Sequence, residues 1–281
     1  MKLMRIGEKQ NEKPCVMDEH SGIRDVSSIV PDFGPDTLCD ELIVRLKSAD
    51  LAALPAVELT GKRIGSPMQR PRTIFCIGLN YSDHAAEAKM DVPKEPILFS
   101  KASAAFSGPN DDILYSAATS KLDWEIELGI VIGKAALNVT EADAMDHVFG
   151  YTVVNELSER AWQIERAGQW IKGKSFPSFC PTGPVLVSKD AIPDPQNLDL
   201  WLDVNGERQQ TGSTRLMIFP VPALVSYISR FALLEPGDLI CTGTPPGVGM
   251  GKSPQKWLGI GDVITLGISH LGEQRQTVVA L

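Results

Sequence analysis

The 281-residue chain has no long apolar run, no closely spaced cysteine pair, no basic cluster, no internal repeat and no low-complexity tract. Each absence removes a class of protein. Without a stretch of about 20 apolar residues, no membrane-spanning helix is expected. The opening Met1-Lys2-Leu3-Met4-Arg5-Ile6-Gly7-Glu8 leads into polar sequence rather than the apolar core of a secretory signal. The five cysteines (Cys15, Cys39, Cys76, Cys180 and Cys241) are odd in number and scattered. They fit reduced thiols in a cytoplasmic protein better than a disulfide frame or a cysteine-based zinc site. A net charge of −8 without a Lys/Arg patch argues against a nucleic-acid partner. It leaves small anionic substrates open, because a bound metal ion reverses the local charge.

What is present is ordinary globular sequence, 43% hydrophobic and 22% charged. Leu3 to Ile6 and Ile23 to Val30 read as strands, and Asp36 to Ala53 as a helix with apolar Leu38, Leu42, Ile43, Leu46 and Leu51. The Gly- and Pro-bearing polar stretch Gly61 to Pro71 reads as a boundary, giving a small N-terminal α/β domain (1–70) and a larger domain (71–281). The larger part is strand-rich. Strands are expected over Thr73–Ile77, Leu122–Gly133, Gly150–Asn155, Pro184–Val187, Leu198–Val204, Asp238–Cys241 and Asp262–Ile268. Helices are expected over Ser82–Lys89, Ser158–Ala167 and Pro222–Phe231. Strands and helices do not alternate regularly, which excludes a doubly wound βαβ fold and points to an α+β class.

The most informative run is Asp123-Trp124-Glu125-Ile126-Glu127-Leu128-Gly129-Ile130-Val131-Ile132. Side chains alternate along a strand, so Glu125 and Glu127 share one face, and Trp124, Ile126, Leu128 and Ile130 share the other. An exposed edge strand with two solvated glutamates is the plain alternative, but the strongly apolar opposite face argues for burial. Two buried carboxylates side by side repel and lose hydration, and an oxygen-liganded divalent cation is their simplest partner.

Four further segments carry chemistry-bearing residues. In Asn155-Glu156-Leu157-Ser158-Glu159-Arg160-Ala161-Trp162-Gln163, Ser158 is the expected N-cap, which puts Glu156 in the turn before the helix. Arg160 and Gln163 then share a helix face. In Gly78-Leu79-Asn80-Tyr81-Ser82-Asp83-His84-Ala85-Ala86-Glu87, His84 and Glu87 are neighbours one turn apart, as a carboxylate-oriented general base requires. The Gly/Pro/Ser-rich stretch Trp170 to Pro184 can bring Lys174 near a carboxylate or a developing enolate. Thr242 to Ser253 approaches a phosphate loop, but Pro246 stands where the first glycine is needed. The amides of Gly243 and Thr244 remain candidates for a small carboxylate nest.

In this order, the segments resemble the fumarylacetoacetate hydrolase family from about Ile74 to the C-terminus. The carrying stretches are GLNYSDHAAE (78–87), PKEPILFSK (93–101), DWEIELGIVIGK (123–134), SERAWQ (158–163), GKSF (173–176), VNGERQQ (204–210) and GDLICTGTPPGVG (237–249). The resemblance implies a mixed β-sandwich roll around Mg²⁺ or Mn²⁺, usually in a homodimer. It assigns Glu125, Glu127 and Glu156 to the metal and His84 and Glu87 to water activation. Lys174, Gln163 and Thr244 fall at positions that hold the oxo-acid part of the substrate, with Arg160 and Gly243 beside them. Two residues depart from the family pattern. Glu156 stands where Asp is usual, and Pro177 where many bacterial members have Asp.

The implied activity is hydrolysis of the C–C bond of a 2,4-diketo acid, an acylpyruvate, to pyruvate and a carboxylic acid. The stretches 78–87, 158–174, 213–219 and 242–251 are similar to a branch acting on 2,4-diketo-3-deoxy sugar acids derived from L-fuconate or L-rhamnonate. Decarboxylation or enol–keto isomerisation at the same metal site is the alternative chemistry. An oxo-acid-binding protein without catalysis is the alternative of another class.

Overall fold

Ile126–Ile132 carries a single charged residue, Glu127, and is buried at every position. A strand buried on both faces belongs inside a sheet and between layers. The computed structural model, which describes residues 1–18, 20–83 and 92–281, places it there. The strand pairs antiparallel with Val148–Asn155 on one side and Leu239–Cys241 on the other. Beyond Leu239–Cys241 the sheet continues through Ile74–Gly78, in parallel, to Ile97–Lys101. In the other direction it runs through Leu186–Ser188 to Lys2–Ile6, Lys13–Asp18 and Gly22–Asp25. The sheet therefore crosses the expected boundary at residue 70, since Lys2–Ile6 pairs with Leu186–Ser188.

A second sheet orders Glu207–Ser213, Asp199–Val204, Val263–Ile268, Gly272–Ala280 and Ile113–Tyr115, the last pair in parallel. Ile126–Ile132 packs on Asp199–Val204 and Val263–Ile268, so the two sheets face each other across the core. This is the expected strand-rich α+β sandwich. Among the described residues, no helix is long and apolar enough to cross a membrane.

The differences from expectation have local causes. The helix read over Asp36–Ala53 is a shorter one, Asp40–Ser48, followed by a separate 3-10 turn at Leu51–Ala53. The strand read over Ile23–Val30 ends at Asp25, whose carboxylate turns the chain by accepting from the Ser27 amide and hydroxyl. Strands Lys13–Asp18, Ile97–Lys101, Glu207–Ser213 and Gly272–Ala280 are additional. Glu207–Ser213 shows why: its two buried residues are Gln209 and Gln210, so it has no apolar alternation to read. The helix read over Ser82–Lys89 lies outside the described residues beyond Asp83, and His84 and Glu87 with it.

Candidate active site

The central strand enters the core just after Asp123 and Glu125, and the turn after Val148–Asn155 lies beside it. The Glu156 amide donates to the Glu125 carbonyl at 2.8 Å, which fixes that turn against the strand. Glu125, Glu127 and Glu156 thereby converge, with one carboxylate oxygen from each within 4.8 Å of the other two. Glu125 is 6% exposed and Glu127 and Glu156 are each 1% exposed. The alternative of a solvated edge strand is excluded.

Two buried cations answer these carboxylates. Lys174, at the end of the short helix Ile171–Lys174, donates to Glu125 Oε2 at 2.5 Å and to Glu156 Oε2 at 2.7 Å. Arg160 donates from Nη2 to Glu125 Oε1 at 2.6 Å, from Nε to Asp123 Oδ2 at 2.8 Å and from Nη1 to Gln163 Oε1 at 3.0 Å. Burial would raise the Glu125 carboxyl, but Arg160 and then Lys174 outweigh it and hold it well below the usual range. Among the described residues, Glu127 has no hydrogen-bonded cation. Burial, then the charges of Glu156 and Glu125, push it well above the ordinary carboxylate value, against one amide bond from Gly243 at 2.8 Å.

Several expected roles change in this geometry. Ser158 is not the helix N-cap. It belongs to the short strand Ser158–Glu159, and its hydroxyl contacts Glu125 Oε2 at 3.4 Å. The cap of helix Arg160–Ile164 is Glu159, whose longer side chain reaches the Ala161 amide at 3.1 Å and also takes the amides of Ser120 and Lys121. Arg160, read as a substrate contact, lines the cavity and is also bound to Asp123, Glu125 and Gln163, while the Gly243 amide is taken by Glu127. Gly243 sits at φ +94, and a Cβ there would stand 2.8 Å from that of Asn80. Thr244 lines the cavity, but its hydroxyl donates to the Ile126 carbonyl at 2.8 Å and accepts from Gln210 at 2.8 Å. Gln163 lines the cavity too, with its carbonyl oxygen taken by Arg160.

Asp123 was missed as a site residue, although it continues the alternation of Glu125 and Glu127. It is fully buried and accepts from Arg160 and from the amides of Gly249 and Met250, at 2.6 and 3.1 Å. It therefore ties the Gly-rich loop after Thr244 to the carboxylate strand. Asn155 and Gln210 were missed as well. Asn155 Oδ1 accepts from the Glu125 amide at 3.3 Å, and Gln210 Oε1 from the Ile126 amide at 3.0 Å.

The donor set suits a divalent cation. Among the described residues, the four carboxyl groups of Asp123, Glu125, Glu127 and Glu156 face two cations, Arg160 and Lys174, and without a further positive charge Glu127 is driven towards its neutral form. Glu156 Oε1 has no hydrogen-bond partner among the described residues, an expensive condition for a buried carboxylate oxygen. Hard oxygen donors of this kind match Mg²⁺ or Mn²⁺. Cys76 and Cys241 also approach Glu156. Burial pushes the Cys76 thiol up to about 12, and hydrogen bonds to Cys180 and Cys76 push Cys241 well above its ordinary value. Both thiols are fully buried within sheet strands, and soft sulfur donors do not match a site built of hard carboxylate oxygens. Above the carboxylates opens a cavity of about 290 Å³.

Fold and site together define a protein with a charged cluster on the floor of a small-molecule pocket, an arrangement suited to enzymes. The profile described as fumarylacetoacetate (FAA) hydrolase C-terminal matches residues 73–279, and the chain belongs to that family. A Burkholderia ambifaria protein named only in general terms, as a hydrolase, is 53% identical over 279 residues, covering 99% of this chain and 98% of its own. The fumarylacetoacetate hydrolase of psychrophilic Exiguobacterium antarcticum superposes with a TM-score of 0.87 at 38% identity over 100% of both chains. The maleylpyruvate hydrolase of Sphingobium sp. SYK-6, solved with manganese(II) and pyruvate, gives 0.83 at 28% identity, covering 100% of this chain and 99% of its own.

Proposed function

We propose that the protein is a divalent-metal-dependent hydrolase that cleaves the C3–C4 bond of a 2,4-diketo acid, releasing pyruvate and a carboxylic acid. The observation that carries this reading is the buried carboxylate trio with its unpaired oxygen, set beneath a small-molecule cavity. The manganese and pyruvate held by the Sphingobium enzyme support the same reading.

Glu125, Glu127 and Glu156 would hold the cation, which supplies Lewis-acid polarisation of the 2-oxo acid. Arg160 fixes Glu125, and the Gly243 amide fixes Glu127. Gln163, on the cavity wall with its oxygen turned to Arg160, presents its amide NH₂ to the substrate carboxylate. His84, oriented by Glu87, takes a proton from the water that adds to C4. As the C3–C4 bond breaks, its electron pair passes into the pyruvate enolate, and the water oxygen stays on the acyl carbon as a carboxylic acid. The Lys174 ammonium, on the cavity floor beside Glu156, would offset the enolate charge, and protonation at C3 then gives pyruvate. The resemblance alone would narrow the substrate to a diketo-deoxy sugar acid, a choice to which the apolar wall of the cavity runs counter.

Product analysis by NMR on the Mn²⁺-loaded enzyme with acetylpyruvate tests the reading. Pyruvate plus acetate is the expected result. Carbon dioxide plus 3-oxobutanal, or enol–keto exchange without cleavage, would assign the site to decarboxylation or isomerisation.

A further inference from the structure

The cavity is two-sided. Its floor is the ionic cluster already described. Its wall is Leu79, Ile97, Phe99, Ile164, Trp170 and Met250, with no charged side chain among these six. Apart from Phe99, none of them packs into the hydrophobic core, so this is apolar surface that the described fold leaves uncovered within the pocket.

The wall is built, not incidental. Trp170 crosses Phe99 edge to face, with ring centroids 5.1 Å apart. It lies so close over Gly78 that a Cβ there would stand 2.8 Å from the indole ring, so the glycine seats the tryptophan on strand Ile74–Gly78. Leu79, the next residue, holds φ +52, a backbone region that non-glycine residues avoid. It is kept there by Asn80, whose buried amide side chain is bound to Thr242 O, Phe219 O and Phe219 N at 2.8, 3.1 and 2.8 Å. The Lys174 ammonium stands 5.3 Å from the Phe99 ring centroid, so Phe99 marks the border between floor and wall.

We propose that the acyl half of the substrate is an apolar alkyl or aryl group seated on Trp170, Phe99 and Ile97, and not a polyol. The proposal rests on the oxo-acid reading above, which puts the carboxylate and keto oxygens on the floor and so sends the acyl end towards Trp170. A polyhydroxylated chain on this wall would find no hydroxyl, carboxamide or charged side chain among these six residues for its hydroxyls, at a cost for each left unpaired. An alkyl chain gains with every methylene it buries. Trp170 is then a specificity-determining residue.

The test is binding, which does not depend on turnover. The dissociation constants of pyruvate, 2-oxobutanoate, 2-oxohexanoate and 2-oxooctanoate would be measured calorimetrically on the Mn²⁺-loaded protein, beside a 2-keto-3-deoxy sugar acid of matching length. Affinity is expected to rise about fourfold per buried methylene until the wall is covered. In Trp170→Ala the series flattens while pyruvate binding is retained, and Trp170→Phe restores part of the slope. A flat series in the unaltered protein, or tighter binding of the sugar acid than of 2-oxohexanoate, overturns the proposal. A steep series in a protein that cleaves no acylpyruvate overturns the hydrolase reading and leaves the apolar wall standing.

Discussion

The Lys174 ammonium lies 2.7 Å from Oε2 of Glu156, while Oε1 of the same carboxylate has no hydrogen bond among the described residues. One buried carboxylate is thus half satisfied by the protein's own cation and half available to a second one. Lys174 also bridges to Glu125, which makes it the clamp between two of the three candidate metal-binding glutamates.

Lys174→Met removes that clamp and leaves Glu125 and Glu156 facing each other with less compensation. Breaking a buried ion pair from one side costs about 3–5 kcal/mol. Urea unfolding of the metal-stripped variant is expected to show a loss of that order, with part of it recovered on Mn²⁺ saturation. A loss that Mn²⁺ does not reduce contradicts a cation site beside Lys174.

Gly243→Ala places a methyl 2.8 Å from the Asn80 Cβ at a backbone angle of +94°. The strain is about 1–3 kcal/mol, and the amide that holds Glu127 must move. Loss of an orienting hydrogen bond to a metal ligand typically lowers affinity about 10–100-fold. Calorimetric titration with Mn²⁺ reads this directly, and unchanged affinity would remove Gly243 from the metal-positioning role.

Asp123→Asn keeps the shape and drops the charge that anchors Arg160 and the Gly249 and Met250 amides. Losing one charge-assisted bond costs about 1.5–3 kcal/mol. Because the 249–251 turn adjoins the cavity through Met250, kcat/KM is expected to fall with stability. Stability that falls while kcat/KM stays constant would confine Asp123 to folding.

Much of this cluster was legible in the chain itself. Glu125 and Glu127 stand at strand spacing in an apolar run, and Arg160 and Gln163 at helix spacing, and both relations hold in three dimensions. Roles that depend on partners far along the chain were not legible. The Gly243 amide meets Glu127 across 116 residues, and Gln210 reaches the Ile126 amide across 84. Nothing local marks Gln209 and Gln210 as buried strand residues, because their burial follows from sheet pairing alone. Glu159 displaced Ser158 as helix cap for a similar reason, since it also satisfies two amides from residues 120 and 121.

Away from the site, Asp111 is held below its ordinary carboxylate value. Burial alone would raise it, but hydrogen bonds from Arg63, the shorter at 2.6 Å, and from the Gly108 amide outweigh that. A lowered folded value contributes stability above the unfolded pKa that is lost as pH falls through the folded one. Acid titration of unfolding is therefore expected to show wild type losing stability below about pH 4 more steeply than Asp111→Asn. Identical acid profiles would show that the Arg63 pairing contributes nothing measurable.

The most direct test of the central claim is pyruvate release from acetylpyruvate, followed as Mn²⁺ is titrated into EDTA-stripped protein. The account predicts no release from the stripped protein and a rate that rises to a plateau with added Mn²⁺. It also predicts that Glu127→Gln stays inactive at every Mn²⁺ concentration. Pyruvate released at full rate by the stripped protein, or by Glu127→Gln, would contradict it.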